Sequence, residues 1–148
     1  METMTTVRQI LRNKGDQVWW VDPDATVYAA LELMAEKNIG AVLVMREGRL
    51  LGILSERDYA RKVILLGRAS ATTLVRDIMS ANVVCVRPDQ TVAECMALMT
   101  AHRFRHLPVL ENDRIIGVIS IGDVVKEVIS EQQFIIEQLE NYITGRAA

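Results

Sequence analysis

The chain has 148 residues, 17 basic against 19 acidic, with half of them hydrophobic and only 5% aromatic. That length permits one well-buried core or two small ones sharing an interface; the composition excludes intrinsic disorder and makes the core mainly aliphatic. The net charge of −2 gives no global attraction for nucleic acid or anionic lipid, so neither is expected as a partner. No apolar run approaches the roughly 20 residues that cross a bilayer, and the N-terminus lacks the apolar core of a signal peptide. Cys85 and Cys95 lack zinc-type pairing and suit a reduced, cytoplasmic setting, with no metal expected.

In chain order, residues 1–17 form a leader in which Thr6–Leu11 reads as a helical turn or two, stopped by Asn13-Lys14-Gly15. Val18–Val21 is strand-like and is broken by Pro23-Asp24; Thr26 caps a helix to about Lys37, with Val27, Leu31 and Met34 on one face. Ile39–Met45 and Leu50–Leu54 are the strands of a hairpin turned at Glu47-Gly48, and a helix from Ser55 to about Leu66 follows, stopped by Gly67. Then the pattern restarts. At a fixed offset of 65, Val18, Val21, Pro23, Asp24, Thr26 and Val27 fall on Val83, Val86, Pro88, Asp89, Thr91 and Val92. Leu33, Met34, Val44, Arg49, Gly52, Ser55 and Asp58 fall likewise on Leu98, Met99, Val109, Arg114, Gly117, Ser120 and Asp123. Thirteen identities without a gap are an internal duplication. Val7-Arg8-Gln9-Ile10-Leu11 also echoes Val75-Arg76-Asp77-Ile78-Met79 in the linker.

The expected architecture is α/β (α+β): two β-α-β-β-α repeats of about 50 residues, packed through their sheets about a pseudo-twofold axis because each is small for an independent core. The expected boundaries are leader 1–17, first repeat 18–67, linker 68–82, second repeat 83–130 and a C-terminal helix 131–148. Val125, Val128, Ile135, Leu139 and Tyr142 give the tail a coiled-coil-like stripe, able to pack back on the module or meet a second chain. Met34, Met79, Met96 and Met99 take core positions, at least one of Trp19 and Trp20 packs inward, and both cysteines are buried, inert thiols.

The chemistry concentrates where each hairpin ends, at Gly52-Ile53-Leu54-Ser55-Glu56-Arg57-Asp58 and Gly117-Val118-Ile119-Ser120-Ile121-Gly122-Asp123. Serine at a strand-to-helix corner aims backbone N–H groups and a helix dipole at what lies above, which suits a phosphate. The aspartate offers carboxylate oxygens to paired hydroxyls, as on a ribose. Helix capping explains the same Ser-x-x-Asp pattern, and the two roles can coexist. Alternation sets Arg103 and Arg105 on one face of a strand and Phe104 and His106 on the other, the arginines being suited to phosphate or to solvent.

The unit Val-x-Pro-Asp-x-Thr-Val, then a helix, then an apolar hairpin ending Gly-h-h-Ser-x-x-Asp (h, apolar), resembles the CBS domain, and the tandem pair resembles a stand-alone Bateman module over roughly residues 7–130. The resemblance implies a non-enzymatic signal-transduction module that binds an adenosine-containing nucleotide (AMP, ADP, ATP, NAD or S-adenosylmethionine) in clefts between the repeats, forms a homodimer and regulates another protein. It assigns Asp58 and Asp123 to ribose and Ser55 and Ser120 to phosphate. Arg57 of the first corner would supply charge, as would Arg103, Arg105 and His106 of the segment Arg103–Val109, which also holds Pro108. Asn38–Val44 lacks the basic residues of its counterpart and Gly122 stands where the first corner has Arg57, so the two sites need not be equivalent. A ligand-independent dimeric scaffold or interaction protein is the alternative; an enzyme lacks a nucleophile, base or metal cluster here.

Overall fold

A computed structural model describes residues 5–15 and 17–145; the tips of the expected leader and C-terminal helix lie outside them. The elements are α1 (Val7–Lys14), β1 (Trp20–Val21), α2 (Val27–Lys37), β2 (Ala41–Arg46), β3 (Arg49–Ser55), α3 (Glu56–Tyr59), α4 (Val75–Ile78), α5 (Val92–His102), β4 (His106–Glu111), β5 (Arg114–Ser120) and α6 (Ile121–Thr144). They form two compact units, Gln17–Val84 and the N-terminal segment together with everything from Cys85 onward.

In the first unit β1 runs parallel to β2, which pairs antiparallel with β3. The hairpin turns at Glu47 and Gly48, both at positive φ, as a two-residue loop matched to the strand twist demands. Thr26 Oγ accepts the Ala29 N–H at 3.1 Å to start α2, and Asn38 ends it in the left-handed region, where a short amide side chain is tolerated. The apolar face of α2 (Val27, Ala30, Met34) meets Val42, Val44 and Leu54 of the hairpin. Burying each larger aliphatic side chain contributes about 1.5–3 kcal/mol, so this stripe holds the unit together. Val75 and Ile78 of α4 close the cluster.

The second unit repeats this packing. Val92, Cys95 and Met99 of α5 are buried, as are Leu107, Val109 and Ile119 of the β4–β5 hairpin. Even the register break recurs, between Val44 and Met45 in one hairpin and Val109 and Leu110 in the other. The role of α4 falls to α1, whose Val7, Ile10 and Leu11 are buried. Val75 N–H donates to Ala25 O and Arg76 N–H to Pro23 O. In the second unit Val7 N–H donates to Gln90 O and Arg8 N–H to Pro88 O, the matching carbonyls. The echo between leader and linker therefore has a structural meaning: each segment closes the core of one repeat, the leader that of the second.

Five details depart from the sequence reading. Val83–Val86, expected as a strand, keeps one parallel bridge, Val86 to Val109. In the first unit Leu43 N–H donates to Trp19 O; its counterpart Pro108 has no N–H, so that rung cannot form. The helix after Ser55 is α-helical only to Tyr59 and continues as a wider π-turn, Ala60–Ile64. Trp19 is half-buried under the Lys37 ammonium, 4.3 Å from its ring centroid. Trp20 and Met96 are exposed and Cys85 half-buried, so neither tryptophan joins the core and the methionine stripe loses one member. Among the described residues no helix is long and apolar enough to cross a membrane.

Candidate functional site: the two serine–aspartate corners

Both corners are capping boxes. In the first, Ser55 Oγ accepts the Asp58 N–H at 3.1 Å while Asp58 Oδ2 accepts the Ser55 N–H at 3.0 Å. In the second, the matching distances are 3.2 Å and 2.8 Å between Ser120 and Asp123. Such a cap contributes about 1 kcal/mol to its helix. The N–H of the first helical residue is used as well: Glu56 donates to Gly40 O and Ile121 to Arg105 O, again at matched positions. Of the amides that open each helix, this leaves Arg57 N–H and Gly122 N–H without a partner among the described residues, one donor per corner to meet an anion.

The carboxylates differ in what else they hold. Asp58 Oδ2 also accepts from Ser55 Oγ at 3.0 Å, and Oδ1 lies 3.3 Å from Ser80 Oγ and 3.4 Å from Lys62 Nζ. Asp123 Oδ2 receives a short bond of 2.7 Å from Lys14 Nζ, which also donates to Val118 O at 2.9 Å. Among the described residues, Asp123 Oδ1 has no partner. Burial works to raise the Asp123 pKa, but Lys14 and the Ser120 N–H outweigh it and hold the carboxyl below its usual range. A carboxylate has about four acceptor positions, so the second corner keeps more capacity for a diol than the first.

The basic residues are placed otherwise than the alternation argument expected. Arg103 is the left-handed C-cap of α5 and Arg105 lies in the loop before β4, so they do not share a strand face. Arg57, Arg103 and Arg105 are exposed, and among the described residues none of their side chains has an ion-pair partner. His106 begins β4 opposite Ser120 and is half-buried. Burial, then the Lys14 and Arg105 cations, push its pKa down against the pull of Asp123. Phe104 stacks on His102 at 5.4 Å, and Pro108 is buried as a core residue. The second corner thus gathers Ser120, Asp123 and His106 in one unit, together with Lys14, which the sequence reading missed. Its only signal was that the leader echoes the linker. A polar hollow of about 290 Å³, lined by Gln9, Arg12, Asn13 and Glu127, contains none of the predicted residues.

Burial, with Glu94 beside it, pushes the Cys95 thiol up to about 11, and burial raises Cys85; both are poor nucleophiles at neutral pH. Among the described residues no cluster of His, Cys, Asp and Glu could hold a metal ion.

Duplicated α/β units that each end a hairpin in a Ser-x-x-Asp cap define a tandem-repeat module. The CBS domain model matches residues 5–64 and 75–130, and the chain belongs to the CBS-domain family. It is 41% identical over 150 residues to the CBS domain-containing protein CBSX3, mitochondrial, of Arabidopsis thaliana, covering 95% of this chain and 73% of that protein. It is 54% identical to a putative signal-transduction protein with CBS domains from Burkholderia ambifaria, solved as a structure, with a TM-score of 0.84 over 86% of this chain and 96% of the other. A more distant CBS domain pair, 21% identical with a TM-score of 0.78 over 87% of this chain and 99% of the other, was solved in complex with 5-methylthioadenosine and S-adenosyl-L-methionine.

Proposed function

We propose that this chain is a non-enzymatic regulatory module that binds an adenosine-containing nucleotide at its serine–aspartate corners and passes the binding event to another protein. The observation that carries this reading is the second corner. Among the described residues, a carboxylate held charged by Lys14 keeps one oxygen free, one helical amide stays unpaired at Gly122, and exposed Arg103 and Arg105 lie on the same unit. Ribose hydroxyls would donate to Asp123 or Asp58. Phosphate oxygens would take the Ser120 or Ser55 side, with Arg57, Arg103, Arg105 and His106 supplying charge. The complex of the distant relative with 5-methylthioadenosine and S-adenosyl-L-methionine supports the choice of adenosine as the common element. AMP, ADP, ATP and NAD all carry it. Ligand binding would shift the population of module conformations, and a regulated partner would read that shift. We place this function in a reducing compartment such as the cytoplasm, in a homodimer, without metal, nucleic acid or membrane.

The long apolar face of α6 favours a second reading, a dimeric scaffold that needs no ligand. Two measurements separate them: mass spectrometry of what co-purifies with the protein, and a melting-temperature panel with AMP, ADP, ATP, NAD and S-adenosylmethionine. A ligand at 100 times its Kd stabilises by about 2.7 kcal/mol. A panel without any shift leaves the scaffold reading.

A further inference from the structure

Helix α6 carries two stripes with different fates. Val124 is buried against its own unit and Val128 and Ile135 are half-buried. A second line, Val125, Ile129, Gln132, Ile136, Leu139 and Ile143, recurs at alternating spacings of four and three, the period of a coiled-coil seam. All six are exposed, Ile129 by 55% and Ile143 by 79%. In a helix of 24 residues, about 36 Å long, an exposed line of five aliphatic residues broken only by Gln132 marks an interface.

We infer that α6 pairs antiparallel with α6 of a second copy of this chain, across a twofold axis near Phe134. The sequence of the helix is complementary to its own reverse. Antiparallel pairing sets Ile129 against the partner's Leu139, Ile136 against the partner's Gln132, and Ile143 against the partner's Val125. The flanks then sort by polarity. On one side, Lys126 meets the partner's Glu140 and Gln133 meets the partner's Gln133. On the other, Val128 meets the partner's Tyr142 and Ile135 meets the partner's Ile135. Parallel pairing would instead set Gln133 against Val128 and the Glu140 carboxylate against Ile135. Charge complementarity and the segregation of apolar from polar flanks therefore select the antiparallel arrangement. Each contact between unlike positions occurs twice, and the two self-pairs, at Gln133 and Ile135, lie on the axis, as a twofold interface requires.

The test is sedimentation equilibrium of the full chain, with circular dichroism to confirm that each variant folds. The wild type sediments as a dimer. Ile136→Asp, on the exposed face, keeps the helical signal and becomes monomeric. Lys126→Glu and Glu140→Lys each weaken self-association roughly tenfold, since each turns two attractive pairs into repulsive ones. The double variant restores the wild-type constant. A monomeric wild type, a dimer indifferent to Ile136→Asp, or single charge variants that the double exchange does not rescue would each overturn the inference. No outcome depends on nucleotide binding.

Discussion

The two corners share a sequence pattern but not a lock. In the first unit the edge of β3 is closed by backbone: Ser80 N–H donates to Ile53 O, Ile53 N–H donates to Ser80 O, and Ser80 Oγ reaches Asp58 at 3.3 Å. In the second, α1 runs to Lys14 while its counterpart α4 stops at Ile78. The Lys14 ammonium then takes over both tasks, donating to Val118 O, the counterpart of Ile53 O, and to Asp123. A strand edge closed by backbone hydrogen bonds has been exchanged for one closed by a side-chain ammonium. Duplication conserves the scaffold, and a single change in helix length alters the electrostatics of the site. The same freedom shows at the hairpin ends, where Arg46 pairs with Asp22 and Asp24 in the segment before α2 while its counterpart Glu111 pairs with Arg8 of α1: the hairpin end is tied to a different element in each unit.

The glycines that admit these locks give the largest expected effect. A Cβ on Gly52 would lie 2.8 Å from Ser80 O and from Met79 Sδ, whereas on Gly117 it would meet the Leu11 side chain at 2.6 Å. Backbone cannot yield as a leucine can. Gly52→Ala should therefore cost about 2–3 kcal/mol and Gly117→Ala about 1 kcal/mol in denaturant unfolding. Equal costs would show that the two edges are closed alike.

Next comes pH. The folded pKa of His106 lies below its ordinary value, so below about 6.5 the unfolded chain binds the extra proton first. Stability should fall as pH drops from 7 through 6.5 toward the folded pKa, and His106→Gln should flatten that limb in melting curves. Asp123 acts lower down. Its depressed pKa gives stability that is present above about 3.8 and lost as pH falls through the folded value.

The smallest effect is expected from Lys14→Ala. The pair is partly exposed, with side-chain exposures of 36% and 21%, so its loss should cost about 0.5–1 kcal/mol at pH 7. The cost should vanish as pH falls below the ordinary carboxylate range and Asp123 protonates. A pH-independent loss would mean that Lys14 acts only through packing.

Much of this was legible in the chain. The offset of 65 carries the hairpins, the buried faces of α2 and α5 and both caps, because periodicity and capping are local. The echo of Val7–Leu11 in Val75–Met79 was visible, but not that each segment closes a different repeat. Strand alternation misplaced Arg103 and Arg105 because α5 ends in a left-handed residue at Arg103, where Asn38 ends α2; an arginine there gives no composition signal. The missing N–H of Pro108 foretold the shortened strand, a signal passed over. For Lys14 the chain offered only the echo between leader and linker, since its distance from Asp123 in sequence is 109 residues.

The most direct test of the account is a calorimetric titration of AMP into the wild type, Asp58→Asn, Asp123→Asn and the double variant. Asparagine keeps an oxygen for the capping bond and removes the charge that would hold the ribose hydroxyls. We predict wild-type binding that Asp123→Asn weakens at least tenfold, Asp58→Asn weakens less, and the double variant abolishes. A double variant that folds and binds AMP as the wild type does would contradict the claim that these aspartates hold the nucleotide.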